Sequence, residues 1–161
     1  MKILPYILYI YLLGFHVTIF SDISSIYGIT IDLTALLVCL VAIYKEESTA
    51  LWFAIAAGFV AGAVNLSLMP WELFVLGGLA LALSHLSRRI NLDSIASRLM
   101  LLAGGLFVHA MVISLVFSSR DFITILFRYI FPSIIYTWLI GWMFFLYRDG
   151  RVTWKKIRDL F

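Results

Sequence analysis

The constraint that bears hardest on this chain is a run of 19 residues without a formal charge, Leu51 to Met69. A helix needs about 20 mostly apolar residues to cross a bilayer, so this run is long enough to span one. Within it, Ala54, Gly58 and Gly62 recur every fourth position, and Asn65 follows three residues later. At about 100° per residue, Gly58 and Asn65 fall within about 20° of each other around a helix axis. One face thus reads as a groove of small residues with an amide near its end. That is the small-xxx-small pattern that lets membrane helices approach closely. Ala54, Gly58, Gly62 and Asn65 are expected to form a packing or partner interface.

The rest of the chain has the same character. Of its 161 residues, 63% are hydrophobic and only 13% are charged, against about 45–50% and about 25% in soluble domains. The reading is an all-α membrane protein with no room for a large soluble domain. Cys39 is the single cysteine; a lone thiol in an apolar run packs as a small hydrophobe. His16, His85 and His109 fall on three segments without Cys-x-x-Cys or His-Glu-x-x-His spacing, so neither a metal nor a cofactor is expected. No nucleic-acid partner is expected either.

Six apolar segments follow one another. The first, Ile3 to Phe20, begins after Lys2 and lacks a clear small-x-small cleavage site behind it, so it reads as a retained helix. The second runs from Ile29 to Tyr44, with Asp32 in its first turn. There the acid is either favoured by the helix dipole or part of a functional site within the membrane. The third is Leu51–Met69, with Ser48 or Thr49 as its expected cap and Pro70 as its stop. The fourth runs from the connection Met69-Pro70-Trp71-Glu72 to about Leu86. The fifth, about Leu99 to Phe117, has Asp93 as its expected cap. The sixth, about Phe122 to Tyr147, carries Arg128 and a kink expected at Pro132. Residues 1–147 are expected to form a compact bundle of six transmembrane helices. Residues 148–161 are expected to form a basic amphipathic tail on an anionic lipid surface.

Six spans place Lys2, Lys45, Arg88, Arg89, Arg98, Arg148, Arg151, Lys155, Lys156 and Arg158 on one side, and only Arg120 and Arg128 on the other. By the positive-inside rule both termini are then cytoplasmic. Asp32, Asn65 and Arg128 then share the outer leaflet on three helices. The expectation is a polar cluster in which Asp32 pairs with Asn65, Arg128 or both. The alternative is that Arg128 snorkels to the outer headgroups.

Several of these stretches resemble the rod shape-determining protein MreD family, over roughly Gly28 to Tyr147. Ile31-Asp32-Leu33 stands where that family tends to have Pro-Asp-Leu. Gly58-Phe59-Val60-Ala61-Gly62-Ala63-Val64-Asn65 keeps the spacing of Gly-Phe-x-x-Gly-x-x-Asp, with the acid replaced by its amide. Leu76-Gly77 and Pro132-Ser133-Ile134-Ile135-Tyr136 follow in the expected order. The resemblance implies a non-catalytic scaffold of the bacterial elongation complex in the cytoplasmic membrane. Its partners would be MreC and the glycosyltransferase and transpeptidase of peptidoglycan synthesis, with membrane lipids around it and a homo-oligomer open. The rival reading is the substrate-capturing S-component of an energy-coupling-factor vitamin transporter, against which stand the short outer loops. A membrane aspartyl protease would need two carboxylates within spans, and only Asp32 qualifies on this reading. A membrane serine protease would need Ser114 and His109 together, and these lie about 140° apart on one helix.

Overall fold

A computed structural model describes residues 4–20, 29–90, 92–117 and 122–149. The expected outer loops at 21–28 and 118–121, and the tail from residue 150 onward, lie outside the described residues. Within them the chain is all-helical. Helix α1 (Leu4–Phe15) runs on through a π-helical turn, His16–Phe20. Then come α2 (Leu33–Tyr44), α3 (Glu47–Gly62), α4 (Met69–Arg89), α5 (Ile95–Phe117) and α6 (Phe122–Arg148). Three of these, α4, α5 and α6, are long and apolar enough to cross a membrane, while α1, α2 and α3 are apolar but shorter.

Among the described residues, short turns join α2 to α3, α3 to α4 and α4 to α5, and successive helices touch one another. α3 packs most extensively on α4, and α2 touches α1, α3, α4, α5 and α6. The centre of the bundle is therefore α2, not the glycine-bearing α3. From Thr34 to Ile43 every residue of α2 except Leu37 is buried. A helix that is apolar all round belongs in a protein core or a membrane span, and α2 is enclosed by its neighbours. At its start, Asp32 Oδ1 accepts the N–H of Ala35 at 2.9 Å. This N-cap supplies a partner to one of the unpaired first-turn donors.

The glycines set the close approaches. A Cβ added at Gly58 would stand 3.1 Å from the Leu73 Cα, and one at Gly62 would stand 2.6 Å from the Met69 Cα. Ala54, Gly58 and Gly62 are all buried. Their face is thus turned to α4 of the same chain. On the other side of the core, a Cβ at Gly105 would stand 2.9 Å from the Cys39 Sγ, and Gly141 packs still more closely on the Leu102 side chain.

Several helix boundaries differ from expectation; the second helix, for one, begins at Leu33 and not at Ile29, with Asp32 as its cap. The third helix ends at Gly62, not at Met69. Asn65 Oδ1 accepts the Ser67 N–H at 3.2 Å and the Ser67 hydroxyl at 2.6 Å. That asparagine turn competes with continuing the helix. The helix starts at Glu47, so the expected caps Ser48 and Thr49 lie within its first turn and Glu46 holds the N-cap position. The fifth helix is capped by Ser94 in place of Asp93, since Ser94 Oγ accepts the Ser97 N–H at 3.0 Å. At Pro132 the expected disruption takes the form of a π-helical turn, Leu126–Ile130. The Phe131 N–H reaches back to the Leu126 carbonyl. A proline that cannot donate to the preceding turn favours such a widened turn.

The ends of the bundle carry different polar contacts. Opposite the Asp32 end, Arg98 donates to Asp149 Oδ1 at 2.8 Å and to the Leu92 carbonyl at 2.7 Å. The Arg148 guanidinium lies 3.4 Å from the centre of the Tyr44 ring. Large apolar side chains cover the outside, among them Tyr11, Trp52, Phe74, Met100 and Met143, each at least 70% exposed. Monomeric soluble proteins rarely expose apolar surface on this scale.

Candidate functional site

The polar cluster forms around Asp32, but with other partners than the sequence implied. His109, on α5 and only 5% exposed, lies between two carboxylates. Its Nδ1 stands 2.8 Å from Asp32 Oδ2, and its Nε2 stands 3.0 Å from Glu72 Oε2. The first contact is an ion pair without hydrogen-bond alignment; the second is a hydrogen bond. The ring thus lies between two acidic groups, hydrogen-bonded to Glu72 and in close contact with Asp32. Three helices are tied together by it: α2 through Asp32, α4 through Glu72 and α5 through His109.

Local structure explains why each group lies there. Asp32 caps α2, and Glu72 is in the first turn of α4. Both carboxylates stand at the positive end of a helix dipole. His109 follows the Gly104-Gly105 stretch, where Gly105 lets α5 approach Cys39 on α2 and Leu83 on α4. α6 closes the cluster from its own side. The Asp32 N–H donates to Thr137 Oγ1 at 3.0 Å, and the Ser133 hydroxyl donates to the Thr30 carbonyl.

Asn65 and Arg128 do not belong to this cluster, which corrects the expected Asp32–Asn65–Arg128 grouping. Asn65 has left the helix and is exposed, bonded to Ser67. It therefore also drops out of the face formed by Ala54, Gly58 and Gly62. Arg128 is exposed, with its guanidinium 5.6 Å from the centre of the Tyr129 ring. Shared depth supplied the right height for these residues but not their direction around the bundle. The same depth argument also reaches Glu72, at the start of the fourth helix, and His109, well along the fifth. Glu72 escaped notice because it read as part of a connection. It also provides a second carboxylate at this end, although position 65 carries an amide.

Beside the ion cluster lies a cavity of about 270 Å³, lined by Asp32, Glu72, His109, Thr34, Ser114 and Ser133 among others. A second cavity of about 170 Å³ reaches Asp32 from the α5–α6 side, past Tyr129 and Thr137. Both His109 nitrogens face carboxylates, so neither is free to take a proton from Ser114. Among the described residues no group of three or more His, Cys, Asp and Glu is placed to hold a metal ion. What the arrangement offers chemically is negative charge and hydroxyl oxygens facing a small polar cavity.

The fold and site define an all-helical protein with membrane-length apolar helices and a buried carboxylate–imidazole–carboxylate bridge. Compared with family models, curated proteins and solved structures, the chain gives no match.

Proposed function

We propose that the chain is a non-catalytic scaffold of the bacterial elongation complex, resembling the MreD family and binding MreC and the membrane-embedded enzymes of peptidoglycan synthesis. In this reading all six helices lie in the cytoplasmic membrane with both termini inside. The observation that carries it is that separate stretches of the resemblance meet in space. Asp32 of Ile31-Asp32-Leu33 donates its N–H to Thr137, and Ser133, within Pro132-Ser133-Ile134-Ile135-Tyr136, donates to Thr30. The glycines of the Gly-Phe-x-x-Gly stretch face Met69 and Leu73, on the helix that carries Leu76-Gly77. Each of these contacts runs from a motif residue to a residue beside another motif, which supports reading the stretches as one structural unit. The short α2 is compatible with six spans because it is enclosed by other helices, and thickness matching acts on lipid-facing surfaces. Ten inner basic residues against two outer ones support the orientation.

The test is affinity purification of the tagged chain in mild detergent from its own bacterium, probing for MreC. The scaffold reading predicts that MreC co-purifies in near-stoichiometric amount. One observation favours the S-component reading instead: the polar cavity beside Asp32. Absence of MreC, with transporter ATPase subunits in its place, would replace the first reading by the second.

A further inference from the structure

The cavity on the Asp32–His109–Glu72 bridge has a chemistry that helix packing alone does not use. Two carboxylates against one imidazole ring leave surplus negative charge at its wall whether or not the ring is protonated. Thr34 lines the same cavity and is only 6% exposed, yet its hydroxyl makes no hydrogen bond to another described residue. That hydroxyl is left to pair with whatever occupies the cavity. We propose that this cavity binds a primary ammonium group, carried by a small free amine or by the headgroup of an outer-leaflet phospholipid.

Size and donor chemistry select this class. About 270 Å³ holds several water-sized groups, near the lower end of small-ligand pockets at roughly 300 Å³. A bare metal ion would need converging ligands, and the described acidic and imidazole groups do not converge in that way. An anion would face the surplus negative charge. An ammonium cancels that charge and brings three N–H donors. Its acceptors are the Glu72 carboxylate and the oxygens of Thr34 and Ser114, with the Asp32 carboxylate at the far side of the imidazole. The site exists whether the chain docks an elongation partner or captures a solute.

The experiment measures thermal unfolding of the full chain in detergent and amine-free buffer, followed by tryptophan fluorescence. Ethylamine, tetramethylammonium and sodium chloride are added at matched millimolar concentrations. Ethylamine should raise Tm by about 3 °C or more, whereas tetramethylammonium, which has no N–H, and sodium should not. Glu72→Gln should abolish the rise. Thr34→Val, which keeps the side-chain shape and leaves the ion bridge intact, should at least halve it if Glu72→Gln folds poorly. Nanodiscs of phosphatidylethanolamine and phosphatidylcholine separate the two sources. A higher Tm in the former, with no further effect of ethylamine, assigns the headgroup; a rise only on adding ethylamine assigns a free amine. Equal shifts with all three cations, no shift with either ethylamine or phosphatidylethanolamine, or an undiminished shift in Thr34→Val would overturn the proposal. Loss of MreC co-purification with ethylamine binding retained would count against the scaffold reading alone.

Discussion

His109 brings one positive charge to a point where α2 and α4 each present a carboxylate. Removing it leaves two acids facing each other across a void without a counter-charge. Loss of one partner from a buried ion cluster costs about 3–5 kcal/mol. His109→Ala should therefore destabilise the chain by about 3 kcal/mol, the lower end, because the Asp32 carboxyl is 31% exposed. Glu72→Gln should destabilise the wild type yet be neutral or stabilising in the His109→Ala background. A double-mutant cycle on unfolding in detergent reads this as a coupling of about 1–3 kcal/mol; strict additivity would mean that the two groups do not interact. Asn65→Leu and Arg128→Gln, both exposed and outside the cluster, should each stay within about 0.5 kcal/mol of wild type. The contrast with His109 separates this bridge from the grouping that depth alone implies.

Helix packing depends on a few glycines more than on the others. Gly62→Leu and Gly58→Leu would drive a side chain into the backbone of Met69 and Leu73, which cannot move aside as a flexible side chain would. Each should lower Tm, Gly62→Leu the more, because its clearance is 2.6 Å against 3.1 Å. Gly78 and Gly104 have nothing within 4 Å of an added Cβ. Gly78→Ala and Gly104→Ala should therefore be neutral or raise Tm, since alanine costs a helix about 1 kcal/mol less than glycine. Unequal Tm values between the two pairs check the packing directly. Much at this scale is legible in the sequence. The six apolar segments, the close face at Ala54, Gly58 and Gly62 and the disruption at Pro132 all follow from composition and spacing. The centrality of α2 does not, because a uniformly apolar segment has no face to show which way it points. Nor does the early end of α3, where the local Asn65–Ser67 turn overrides a run that stays apolar on either side.

For the whole molecule, the arrangement of charge and apolar surface makes a single consistent statement. Large apolar side chains cover the outside of the bundle, and the ion bridge and the Arg98–Asp149 pair occupy opposite ends. The end with Asp32, Glu72 and His109 is the one that the distribution of lysine and arginine puts outside. This depends on an odd number of crossings before the loops at 24 and 119 and an even number before those at 48 and 94, so labelling the loops tests it. Cys39 is buried and gives a low background for single-cysteine variants. The direct measurement is labelling of intact cells with a membrane-impermeant maleimide, using Ser24→Cys, Ser48→Cys, Ser94→Cys and Ser119→Cys. Labelling at 24 and 119 from outside, and at 48 and 94 only after lysis, is the predicted result. Outside labelling at 94, or protection at 119, would contradict the six-span bundle and with it the outer position of the ion bridge.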